Sequence, residues 1–158
     1  MPGGAGAPGA TFDRTDRWKE PVAKYRLEDP VDPEVMLVGI SSHVNDYRLC
    51  WALNRRLGIN LARRQEDIVE PGPRKPLHFA VFEHLDTENQ ARWTLVNNHG
   101  DDGILVKEQR QADFFLIVDE HAPTSAEELL EQVRRTEFVL AAYPLDARNE
   151  RGAHKLLQ

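Results

Sequence analysis

One cysteine, Cys50, is all the thiol chemistry this 158-residue chain has. A lone thiol excludes an internal disulfide and a structural zinc site built on several thiolates. Long apolar runs are missing too: no stretch approaches the ~20 residues of a membrane-spanning helix, and the N-terminus has no apolar h-region. Cations are outnumbered, with 20 Lys and Arg against 26 Asp and Glu and a formal net charge of −6. Nucleic acid and anionic membrane therefore repel the chain as a whole, and contact with either needs a local basic patch. There is no internal repeat, no Gly-rich phosphate loop and no G-x-S-x-G elbow. The expectation is a soluble, cytoplasmic protein that does not bind membrane.

What is present suits a single domain, which at this length buries roughly 70% of its unfolded surface. Residues 1–23 begin MPGGAGAPGATF and read as a disordered or loosely attached leader with Trp18 as its tether. Lys24 to Leu27 read as a short edge strand opening a domain over 24–147, and 148–158 as a polar C-terminal tail, loose or docked on a partner. VMLVGI (35–40) and DFFLIVD (113–119) are near-continuous apolar runs, the pattern of strands buried on both faces, the second one central. INLAR (59–63) reads as a further strand. LHFAVFEH (77–84) and ARWTLVN (91–97) alternate in period two around DTEN and predict a hairpin. SAEELLEQVRR (125–135) has a capping Thr124 or Ser125, acids in its first turn and arginines in its last, all matched to the helix dipole. FVLAAYPLD (138–146) closes the sheet. The order β-α-β-β-β-β-α-β predicts an α+β fold, a single mostly antiparallel sheet of about five to six strands with two main helices on one face.

The first helix, from about His43 to Leu57 with Gly58 as C-terminal cap, carries the reactive-looking residues. At ~100° per residue, Val44, Tyr47, Leu49, Cys50, Trp51, Leu53 and Leu57 project as one broad apolar arc, with Cys50 and Asn54 near its middle. Arg48, Arg55 and Arg56 face outward with Ala52. Cys50 then reads as a small core residue, seven positions and roughly 10 Å from His43, too far for a thiolate–imidazole pair. Asn54 reads as a buried amide bonded to neighbouring backbone. Ser42 is expected to cap the helix, and Ser41 and Ser42 at its N-terminus form a candidate anion contact. His43 and Asp46 have ligand spacing but are only two groups. His78 and His84, on one strand, are roughly 20 Å apart and cannot share a metal. Asp113 and the NNHGDDG loop read as turn chemistry.

At LVGISSHVNDYRLCWALNRRLGINL, LVNN, QADFFLIV and VLAAYPLD, covering residues 35 to 146, the chain resembles the IPExxxVDY family of small bacterial proteins. The resemblance is concentrated in DYRLCWALN and ADFFLIV; the I-P-E-x-x-x-V-D-Y signature is not intact here. It implies no activity, cofactor or catalytic residue, because none is assigned to the family.

What remains is a local basic patch of Arg48, Arg55 and Arg56, with Arg63 and Arg64 downstream. The expected function is a non-enzymatic protein-binding or adaptor module with a protein partner and no cofactor or metal. RNA or ribonucleoprotein binding through the arginines is the alternative, opposed by the net acidity and the lack of an aromatic-basic strand. A small-molecule enzyme with a site built from loops is the third.

Overall fold

A strand buried on both faces has nowhere to place a polar side chain, and β7 (Phe114–Asp119) shows the result. Phe114, Leu116 and Val118 point into one core and Phe115 and Ile117 into another. Period-two alternation thus reads as a continuous apolar run. The same holds for β1 (Val35–Ser41), where Val38 and Ile40 face one core and Leu37 the other. The computed structural model describes residues 34–158. The expected leader, the strand at 24–27 and the tether at Trp18 lie outside the described residues.

The remaining strands are β2 (Ala62–Arg63), β3 (Ile68–Glu70), β4 (Leu77–Phe79), β5 (Val81–Asp86), β6 (Ala91–Asn97) and β8 (Ala141–Leu145). Six of the strands form one antiparallel sheet in the order β2-β5-β6-β7-β1-β8, with β7 inside it, and β3 and β4 pair separately. In register, Val38 stands opposite Leu116 on β7 and Pro144 on β8. A proline suits the edge position of β8, where its missing N–H interrupts no interior ladder.

Helices α1 (Asp46–Leu57) and α2 (Ala126–Arg134) lie on one face of the sheet, through Leu49, Cys50 and Leu53 of α1 and Leu129 and Val133 of α2. The α+β reading with two helices on one face is therefore the observed architecture. Ser125 caps α2, its Oγ accepting from the Glu128 N–H at 3.1 Å. Among the described residues, the opposite face is covered without helices of that kind. Ile68 and Phe79 of the β3–β4 hairpin, Leu105, Val106 and Ala112 of the 98–112 loop, and Leu156 bury it.

Two expectations are corrected. The run 77–84 is two strands in two sheets, parted at Ala80: Leu77–Phe79 pairs in the small sheet and Val81–Asp86 pairs with β6 in the large one. Ile68–Glu70, hidden in a polar stretch, is its partner. The stretch 148–158 folds onto its own domain: a 3-10 helix at Ala153–Leu157 buries Ala153 and Leu156, and Lys155 Nζ donates to the Leu105 carbonyl at 3.3 Å.

Candidate docking face

The geometry of α1 follows from its ends. Asn45, not Ser42, is the N-cap: its Oδ1 accepts from the Arg48 N–H at 3.0 Å, satisfying one of the donors a helix start leaves open. Asp46 lies in the first turn and Arg55 and Arg56 in the last, as the macrodipole favours. Gly58, at φ 67°, closes the helix with its N–H on the Asn54 carbonyl.

The inward arc is narrower than expected. It is made of Leu49, Cys50, Ala52 and Leu53. Tyr47 and Trp51 are 62% and 50% exposed, which overturns their assignment to the core, and Ala52 turns inward instead of outward. The physical reason lies in the helix period. Leu49 and Leu53, about 40° apart, set the centre of the buried arc, and Trp51 stands about 160° from each of them, on the far side of the helix. Tyr47 stands about 40° from Trp51 on the same outward side.

The outward face is consequently aromatic as well as basic. The Arg55 guanidinium lies 4.9 Å from the centre of the Trp51 ring, and the Arg48 guanidinium 4.9 Å from that of Phe138. Each such contact is worth about 0.5–1 kcal/mol at an exposed site. Tyr47 meets Phe82 edge to face with centroids 5.6 Å apart, and Arg63 lies 5.9 Å above the same Phe82 ring. Arg56 donates to the Arg135 carbonyl at the end of α2, a cation on a helix C-terminus. A shallow recess of about 250 Å³ opens among Trp51, Ala52, Arg55, Arg56 and Glu137.

The downstream arginines behave differently. Arg63 pairs with Asp67, and Arg64 reaches Glu83 at 3.4 Å and the Gln158 carbonyl at 3.2 Å. The patch of five arginines reduces to Arg48, Arg55 and Arg56, for which no carboxylate partner is found among the described residues.

No protein-family model matches the chain, and no curated protein matches it.

Ser41 and Ser42 lie where β1 ends, and their hydroxyls are committed. Ser41 Oγ donates to the Gln111 carbonyl at 2.7 Å, and the buried Ser42 Oγ donates to the Phe138 carbonyl at 2.7 Å. The Ser42 N–H is held by Asp113 Oδ2 at 2.9 Å, so a carboxylate already occupies the place an anion would take. Ser42 joins the face only indirectly, through Phe138.

The other reactive letters are spread out. Asp46 accepts from Asn97 Nδ2 at 3.0 Å, and His84 Nδ1 accepts from the Asn60 N–H at 3.2 Å. His99 and Asp113 do meet, at 3.8 Å, while His99 Nε2 lies 3.0 Å from the Arg110 carbonyl. Among the described residues no group of three or more His, Cys, Asp or Glu is placed to hold a metal. None of their helices is long and apolar enough to cross a membrane. A larger cavity, about 510 Å³, lies on the sheet face away from the helices, between the β5–β6 hairpin and the chain's last residues.

Tyr47, Trp51 and Phe138 are the members of the face that the sequence reading missed. The spacing of Trp51 from Leu49 and Leu53 contains the signal for the first two, once two leucines rather than total hydrophobicity define the inward direction. Phe138 has no local signal, because only the fold brings it beneath Arg48.

Proposed function

We propose that the protein is a non-enzymatic protein-binding or adaptor module that engages its partner through the outward face of α1. The observation that carries this reading is the exposure of Tyr47 and Trp51 beside Arg48 and Arg55 on one helix face. Tyr, Trp and Arg are the residue types that dominate binding energy at protein interfaces. Two large aromatics left half or more exposed bury only part of their surface in the domain's own core, and a partner would bury the rest. Membership in the IPExxxVDY family belongs to the same proposal, and the DYRLCWALN segment that carries most of the resemblance is the segment that presents this face. A bacterial, cytoplasmic setting agrees with an unpaired, buried cysteine.

RNA binding through the arginines has less support. Carboxylates draw off Arg63 and Arg64, and the net charge of −6 opposes a phosphate backbone. A loop-built active site has less still, since Asn98, His99 and Asp113 are engaged with loop backbone or with one another.

Affinity capture from native bacterial extract, run in parallel with wild type and Trp51→Ala, tests the reading. One stoichiometric partner should be retained by wild type and lost from the variant, with both proteins unfolding at the same urea midpoint. Capture that is indifferent to Trp51→Ala would remove this face from the binding function.

A further inference from the structure

The arginines on α1 are arranged for more than solubility. The Arg55 guanidinium lies over the Trp51 ring and that of Arg48 over the Phe138 ring, each 4.9 Å from the ring centre. A ring face does not satisfy the N–H donors of a guanidinium as an oxygen would, and a carboxylate is the acceptor their fork geometry fits. Among the described residues neither side chain finds one. The ring contact also restricts the long side chains before a partner arrives, so less rotamer freedom is lost on binding. Arg56, anchored on the Arg135 carbonyl, adds a third positive charge at the mouth of the recess shared with Trp51 and Arg55. Within a chain of net charge −6, these three form a local positive field beside two exposed aromatic rings.

We infer that the partner's recognised element is an acidic peptide segment. Its carboxylates pair with Arg48, Arg55 and Arg56, and an apolar side chain between them packs on Trp51 and Tyr47. This inference rests on the docking reading above and adds to it the chemistry of what docks. Glu137, which lines the recess, repels a segment whose acids are placed on that side.

The test is selection of a random dodecapeptide library displayed on phage against the full chain, followed by titration of the selected peptides by fluorescence anisotropy. Trp51→Ala, Arg55→Glu and the triple variant Arg48→Ala/Arg55→Ala/Arg56→Ala are titrated beside wild type, each first shown to unfold like wild type. The expected result is enrichment of peptides with Asp or Glu flanking an aliphatic or aromatic residue. Their affinity should fall roughly three- to tenfold for each arginine lost and should weaken with added salt. Peptides without acids that bind in a Trp51-dependent, arginine-independent way would overturn this inference and leave the docking reading standing. Selected peptides indifferent to both Trp51 and the arginines would overturn the docking reading itself. Oligouridylate that binds more tightly than any peptide through the same arginines would transfer the face to RNA. A dimer of the full chain dissolved by Trp51→Ala, or a cross-link from this face to the chain's own residues 28–32, would each assign the face to another occupant and overturn the proposal.

Discussion

Ser42 Oγ donates to the carbonyl of Phe138 at 2.7 Å, and Phe138 is held there at φ 76°, a backbone conformation that a bulky side chain rarely adopts. The bond ties the end of β1 to the segment leading into β8, whose Phe138 ring lies under the Arg48 guanidinium. The strained residue thus lies on the candidate face, and its hydrogen-bond partner lies beneath.

Ser42→Ala removes a buried hydroxyl from that carbonyl and should lower the free energy of unfolding by about 1–2 kcal/mol in a urea titration. Ser41, whose hydroxyl bonds Gln111 nearer the surface, should respond differently: Ser41→Ala is expected to stay within about 0.5 kcal/mol of wild type. Equal effects of the two substitutions would contradict the distinct roles assigned to them.

Asn54 holds the chain just after α1 with both ends of its amide. Its Oδ1 accepts from the Leu61 N–H at 2.7 Å and its Nδ2 donates to the Leu61 carbonyl at 3.3 Å. Leu61 is itself buried, so the pair replaces water for two backbone groups at once. Asn54→Leu should cost about 2–3 kcal/mol, more than one ordinary hydrogen bond, because both groups lose their partner. Partner capture should be unchanged, since Asn54 does not contribute to the outward face; loss of capture by a still-folded Asn54→Leu protein would contradict this.

How much of this could be read from the sequence follows from which signals are local. The strands β1 and β7 and helix α2 stand out because burial on two faces, or a cap with matched charges, marks the chain where they occur. Asn54 was legible as an amide bonded to neighbouring backbone, but its place was not: expected near the middle of the buried arc, it is half-buried at the edge of that arc. The N-cap was not legible: Ser42 and Asn45 are both good capping residues, and only Phe138 and Asp113, far away in sequence, take Ser42 out of competition. The second core escaped notice because it is assembled from short irregular pieces, Ile68, Leu105, Val106 and Leu156, with no periodicity to report them. The docking face was half legible. Its arginines were found by composition, whereas Trp51 and Tyr47 were hidden by the assumption that large aromatics point inward.

Asn98, within a loop that reads as ordinary turn chemistry, is completely buried. Its Oδ1 accepts from the Val106 N–H at 2.7 Å, and its Nδ2 donates to the carbonyls of Ala112 at 2.9 Å and Gln109 at 3.0 Å. One side chain thereby spans the loop that covers the second face of the sheet. Asn98→Leu fills the volume but leaves these groups without a partner, and a loss of about 3 kcal/mol or more is expected. Hydrogen exchange should report it as loss of protection at Val106 in particular. Unchanged protection there would mean that the loop is held by its apolar contacts alone.

Cys50, the most chemically suggestive residue of the chain, should behave as packing. Burial first, and the nearby Asp46 carboxylate second, push its thiol up to about 12. The native protein therefore keeps the proton where the unfolded chain would release it near pH ~8.5. A raised acid pKa favours the folded state fully below the unfolded value, and the benefit disappears as pH rises from there towards the folded one. Stability should fall above about pH 9 with a slope approaching 1.4 kcal/mol per pH unit, measured by urea unfolding at several pH values. Tyr143, also raised by burial and by Asp113 and Glu150, adds to the slope above about pH 10. Cys50→Ala should abolish the decline between about pH 9 and 10 while leaving the part due to Tyr143. At neutral pH a thiol reagent should label the native protein no faster than the protein opens, and label it at once in urea. Fast native labelling would show an accessible thiolate and return Cys50 to consideration as a reactive group.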